Sequence, residues 1–343
     1  MKLLTNTRLY VILGLCLCLN GCTRSKEPDI SGIKLDVKIE RFDQSMEQLT
    51  TGNVPKVAPQ LEKQYDWFYA DYIQNMLAVG SMADTTYYQN LRTVLANTDY
   101  KALAKAVADT YPNLTKQEAE LTDAFKRMKY YFPKQKTPRF ISFLSGFSVQ
   151  TPIGNGYIGI GLDMFLGKDS PFYPALVQSI PQYISRRFTP ENIVPRVVET
   201  YIREEVYPES DATVSLLDKM VYNGKVLYLM QKALPNAPDS LLIGYTDAQS
   251  AWCKTYEADI WAYFIDEKLI FESDYLKIQK FLTDAPFTPG LGENNQSAPK
   301  LGGWVGWQIV KNYMDKHPEL EPKDLLALQD GQKILRDSGY KPK

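Results

Sequence analysis

Residues able to hold a metal or activate a water are scarce in this chain. Its 343 residues include one histidine, His317. Sites that need two or more imidazoles, such as HExxH or a facial triad, are therefore excluded. His317 precedes Pro318 at the end of an Asp315-Lys-His-Pro318 turn, where a helix C-terminus favours an imidazole. No Ser-His-Asp arrangement can be proposed around it. Cys253, in Ala251-Trp-Cys-Lys-Thr-Tyr256, lacks a neighbouring base and reads as a buried structural thiol. Asp163, Asp169, Glu199, Glu204 and Glu205 could supply two carboxylates for acid–base work, but the sequence does not set their separation.

Two further patterns invite chemistry. Thr189-Pro-Glu191 is a strong helix start, and Ile193, Val194, Val197, Val198, Tyr201 and Ile202 then form one apolar stripe. Glu199 lies off that stripe, four residues before Arg203, in the favoured acid-then-base order. The pair reads first as a solvated-face ion pair worth about 0.3–0.5 kcal/mol. Gly154-Asn-Gly-Tyr-Ile-Gly159 matches GxGxxG letter for letter. A dinucleotide site needs those glycines to leave a strand and open a helix. Here the residues that follow alternate like a strand, so a tight hairpin or bulge is the better reading.

The elements that must position these residues are mostly helical. Ile33-Lys-Leu-Asp-Val-Lys-Ile-Glu-Arg-Phe42 alternates with period two and reads as a half-buried strand. From about 58 to 132 the pattern is helical, with Thr115-x-x-Glu118 as a capping box and Pro133 as a stop. Segments 139–144 and 157–165 are strand-like and joined through Gly146, Pro152, Gly154 and Gly156, which suggests a β-hairpin with a wide loop. Helices return after Pro171. Gly302 and Gly306, four apart, would let an apolar helix (Val305, Ile309, Val310, Tyr313) pack closely against a neighbour. The stretch 283–303 is rich in Pro, Gly and Asn, and loops of that length are usually functional or mobile. The expected class is α+β, predominantly helical, with a small sheet including an edge hairpin.

Lys and Arg total 39 against 40 Asp and Glu, a net charge of −1. There is no basic excess for nucleic acid or anionic lipid. A composition 44% hydrophobic and 23% charged excludes disorder along the whole length. At the N-terminus, Lys2 and Arg8 precede an uncharged apolar run over 9–19, too short to span a bilayer but suited to a signal peptide. The run ends in Leu19-Asn-Gly-Cys22, which resembles a bacterial lipobox. The expectation is a lipoprotein signal peptide over 1–21, a tether over 22–31 acylated at Cys22, and one domain over 32–343. Thr23 rather than Asp after the cysteine favours the outer membrane. Cys16 and Cys18 leave with the signal, so no intrachain disulfide is possible in the mature chain.

Several phrases together resemble the gliding-motility lipoprotein GldB family. They are the lipobox, Ile160-Gly-Leu-Asp-Met-Phe-Leu-Gly-Lys-Asp169, Ser185-Arg-Arg-Phe-Thr-Pro-Glu-Asn-Ile-Val194, Gly244-Tyr-Thr-Asp-Ala-Gln-Ser-Ala-Trp-Cys253 and Gly303-Trp-Val-Gly-Trp-Gln-Ile-Val310. The resemblance implies a zincin-like metallopeptidase fold, in which a helix carries HExxH beneath an edge strand and a later helix adds a third ligand. Val198-Glu-Thr-Tyr-Ile202 would take the HExxH position, with Val198 and Ile202 in place of both histidines and only Glu199 retained. The third ligand would fall near Asn223, where a carboxylate is needed. The implied site is thus degenerate (Val198, Glu199, Ile202, Arg203, Asn223), with no metal and no cofactor. The implied protein is a non-enzymatic envelope component of gliding motility or type IX secretion. It would be lipid-anchored in the outer membrane facing the periplasm and act through other envelope proteins. The alternative is a hydrolase, or a peptide- or glycan-binding lipoprotein, using carboxylates and tyrosines of a retained cleft. A carboxyl pair in a deep cleft would favour the alternative.

Overall fold

The computed structural model describes residues 27–292 and 296–343. Cys22, the signal segment and the first part of the tether lie outside the described residues. The elements used below are β1 (Ile39–Arg41), α1 (Thr115–Tyr131), β2 (Arg139–Phe143), β3 (Ile153–Gly154), β4 (Tyr157–Gly161), α2 (Ile193–Tyr201), α3 (Leu216–Ala233), α4 (Asp239–Ile243) and α5 (Leu301–Lys316). The protein is α+β and predominantly helical, around a four-stranded mixed sheet in the order β1-β2-β4-β3. β1 and β2 pair in parallel, as do β2 and β4, and β3 closes the sheet antiparallel to β4.

Helices cover both faces, which is why the central strands are buried almost throughout. Phe140, Leu144, Ile158 and Ile160 face the larger core, built with α1, α2, α3 and α5. Ile141, Phe143 and Tyr157 face a smaller aromatic core of the N-terminal helices, where Phe42, Phe68 and Tyr72 meet edge to face or stacked. α3 and α5 form the closest helix contact. A Cβ on Gly306 would strike the Met220 backbone, and one on Gly224 would strike Gly306. The close-packing role expected of Gly306 is therefore what the structure has.

Three sequence expectations need correction. Segments 139–144 and 157–165 do not form a hairpin with each other, because β2 and β4 run parallel. The hairpin is β3–β4, turned at Asn155-Gly156 with Gly156 at φ +77°. The intervening loop crosses the end of the sheet, a path that alternation cannot reveal. The strand expected over 33–42 is laddered only at Ile39–Arg41. Thr115 and Glu118 form no capping box. Glu118 Oε1 instead accepts from the Ile39 main-chain N–H at 3.0 Å, and Thr122 Oγ1 accepts from that of Val37 at 2.9 Å. Side chains of α1 thus occupy donors on the outer edge of β1. A long-range partner displaced the local one.

Candidate functional site

The residues singled out by sequence lie on two packed helices. Val198 and Ile202 are fully buried in the larger core, as the apolar stripe requires. Past Tyr201 the helix widens into a π-turn over Ile202–Val206, closed by Tyr207 N–H to the Ile202 carbonyl at 2.7 Å. That turn carries Arg203 toward α3. Arg203 Nε donates to Glu199 Oε1 at 3.0 Å, and its Nη2 donates to Asn223 Oδ1 at 2.9 Å. Its guanidinium also lies over the Tyr222 ring, 5.5 Å from the centroid. Glu199, Arg203 and Asn223 are therefore brought together, while Val198 and Ile202 point away into apolar packing.

The solvated-face reading of Glu199 is corrected. Its side chain is 20% exposed and is held by two guanidiniums, since Arg196 Nη1 pairs with its second oxygen. Burial works against the charge, but Arg196, Arg203 and Lys300 together outweigh it and hold the carboxyl down at about 2. A carboxylate so fixed is a poor proton acceptor.

Sequence reasoning missed the rest of the cluster. Asp284 accepts from Arg187 Nη2 at 2.9 Å and pairs with Lys300 Nζ at 3.0 Å. Lys300 also donates to the Ile243 carbonyl at 2.9 Å, Arg196 Nη2 to that of Leu242 at 2.9 Å, and Arg186 Nη2 to that of Gly244 at 2.7 Å. Three cations thus converge on consecutive carbonyls at the end of α4, where the main chain is electronegative. Burial, helped by Arg187 and Arg196, lowers the Lys300 amine to about 8 despite Asp284. Asp284 is partly exposed; desolvation works against its charge, yet Lys300 and Arg187 keep its carboxyl well below the usual range. The available signal was the loop 283–303, flagged by its composition, which supplies Asp284 near one end and Lys300 near the other.

Three other candidates have structural roles. Asp163 is fully buried and accepts from the main chains of Ser145 and Phe147, both at 2.7 Å, and from Ser145 Oγ at 2.9 Å. Burial pushes its carboxyl up in spite of those donors. It fixes the loop after β2, where Phe147 sits at φ +61°. Cys253 is fully buried, and burial pushes its thiol up to about 12. His317 caps the C-terminus of α5, with Nδ1 2.7 Å from the Tyr313 carbonyl. Among the described residues, no three His, Cys, Asp or Glu side chains are placed to hold a metal ion.

A cleft of about 690 Å³ lies beside the edge of the sheet, between the loop after β2 and residues 176–188. Phe147, Met164, Leu176, Ile180, Ile184 and Phe188 give it apolar walls, and Val149, Gln150 and Thr151 form its rim. Gly159 and Gly161 N–H groups donate to the carbonyls of Pro152 and Gln150, both at 2.8 Å. By the pairing register, the main chain of Ile153 faces away from β4. Thr151 Oγ1 is 2.7 Å from Thr200 Oγ1, which joins this edge to α2.

A model of the family described as gliding motility protein GldB matches residues 23–342. No curated protein and no solved structure matches the chain.

Proposed function

Because the chain belongs to the gliding motility protein GldB family, we propose that it is an envelope lipoprotein of the gliding or type IX secretion apparatus that works by holding partner proteins, not by catalysis. In this reading Cys22 is acylated, the anchor lies in the outer membrane and the body faces the periplasm. The scaffold is a zincin whose metal-binding face has become core at Val198 and Ile202. The observation that carries the reading is the edge strand β3, which has no strand on its outer side among the described residues, beside the apolar cleft. The opposite edge has donors occupied by Glu118 and Thr122. An extended partner segment could add to the open edge through main-chain hydrogen bonds and bury side chains in the cleft.

The hydrolase alternative finds less support. The residues lining that cleft include neither carboxylate nor tyrosine, and Glu199 lies outside it, fixed between two arginines. A second cleft of about 440 Å³ has Asp43, Glu47 and Tyr100 in its lining, but there Asp43 is held by Arg41 and by Ser142 Oγ. A photo-crosslinking residue at Thr151 of the full-length, membrane-bound protein tests the proposal, with Leu276, exposed and outside the cleft lining, as control. Discrete protein adducts from position 151 and not from 276 are expected. Adducts from 276 alone would place the interface elsewhere. Hydrolysis of a peptide or glycan that Glu199→Gln abolishes would replace the binding role with an enzymatic one.

A further inference from the structure

The charge cluster at α2, α4 and the start of α5 is unbalanced. Five cations, Arg186, Arg187, Arg196, Arg203 and Lys300, surround two carboxylates, Glu199 and Asp284. The three carbonyls 242–244 offset part of that excess as dipoles, but none of them carries a full charge. Donors also remain unused. Arg187 Nη1 and Arg196 Nε are both buried and have no hydrogen-bond partner among the described residues. Arg187 Nη2 is held by Asp284, and Arg196 Nη1 and Nη2 are held by Glu199 and the Leu242 carbonyl, so neither side chain can satisfy these nitrogens by rotating without breaking a bond. Buried guanidinium N–H groups left open in an electropositive setting are stable when an acceptor joins them.

We infer that this cluster is a binding site for a small oxyanion, a phosphoryl group or a carboxylate, seated against Arg187 and Arg196 with Lys300 and Arg203 adjoining. An oxyanion supplies what the cluster lacks, which is negative charge and several acceptor lone pairs on one small group. Guanidinium is the side chain best suited to such a ligand, because its planar N–H groups match two oxygens at once. The rim of the site reaches solvent, although the two open nitrogens themselves are closed off. Side chains of the cluster are between 14% and 38% exposed, with Asp284 the most open. Asp284 is also the natural competitor, since it occupies Arg187 Nη2 and Lys300 from the solvent side. A second observation fits the same ligand. The Lys300 amine is held down by burial and by two neighbouring guanidiniums, a penalty that an anion would relieve. This inference does not depend on the cleft or on protein partners.

Melting of the full-length protein in detergent tests it, in sodium phosphate, sulfate, acetate or succinate against sodium chloride at matched ionic strength. At least one oxyanion is expected to raise Tm saturably over chloride. A response to phosphate and sulfate identifies a phosphoryl-type ligand, and a response to acetate or succinate alone identifies a carboxylate. Asp284→Asn removes the competing charge and should tighten binding, whereas Arg187→Lys keeps the charge, loses the open N–H and should weaken it about tenfold. Opposite signs from two substitutions in one ion pair are not what a purely structural role produces. Should Asp284→Asn not fold, Arg187→Lys decides alone. Identical melting in all salts, or an oxyanion effect that Arg187→Lys leaves unchanged, overturns the site.

Discussion

At Glu199 the ordinary value of 4.5 falls to about 2 in the folded protein, because two arginines and Lys300 outweigh the effect of burial. Its stabilisation is therefore fully present above about pH 4.5 and is lost as pH falls toward 2, to a depth of about 3 kcal/mol. Glu199→Gln should flatten that acid limb. It should also destabilise the protein by about 3 kcal/mol at pH 7, since Arg196 and Arg203 lose their shared anion. Urea melts of both proteins at pH 7 and pH 3 check this, and superimposable curves would refute the buried pairing. Lys225 has the opposite sign. It is 1% exposed, donates to Tyr207 Oη at 3.2 Å and to the Leu328 carbonyl, and burial lowers its amine from 10.5 to about 8. Between those values the unfolded chain holds the proton and the folded one does not, so stability rises with pH from about 8 to 10.5. Lys225→Met should remove that rise and stabilise the protein at pH 7 by about 2 kcal/mol, the desolvation cost less the lost hydrogen bonds. Melting at pH 7 and pH 10 reads both effects.

Among the elements, α3 and α5 depend on two glycines at their crossing. Gly306→Ala drives a methyl into the Met220 backbone, which cannot yield as a side chain would. The expected loss is at least about 3 kcal/mol, seen as a lower midpoint in denaturant or as failure to fold. Gly303→Ala, whose nearest contact is Asn223 Cβ at 3.7 Å, is the matched control and should be nearly neutral. The close approach at Gly306 was legible in the sequence, but its partner Gly224 was not, and Gly302 lies instead nearest the Phe281 carbonyl and Leu282. Also legible was the helix that carries Glu199, from its Thr-Pro start and apolar stripe. The partnership of β2 with β4 was not legible. Alternation identifies a strand and its buried faces but says nothing of direction, and the short β3 inserted between them reversed the expected pairing. Glu118 was misread for a related reason. A capping box is a local pattern, and its carboxylate was taken by a main-chain donor 79 residues away. The cluster around Glu199 escaped because its members Arg187, Asp284 and Lys300 are spread along the chain and meet only through tertiary packing.

For the molecule as a whole, no helix among the described residues is long and apolar enough to cross a membrane. On the proposed reading Cys22 is the anchor, and Cys22→Ser should abolish fatty-acid labelling and release the protein from washed membranes. Labelling that survives the substitution would refute the anchor. The parallel pairing of β1 with β2 also dictates an order of events in time. Ile39 lies against Phe140, so the first strand has no partner until roughly a hundred further residues have been made, and contacts of such span are slow to form. Meanwhile the donors of Val37 and Ile39 await Thr122 and Glu118 as well. The helical body can assemble from nearer neighbours first. The end made first is, on this topology, the end that is locked last, and hydrogen-exchange labelling during refolding should find the amides of Val37 and Ile39 protected after those of α3 and α5.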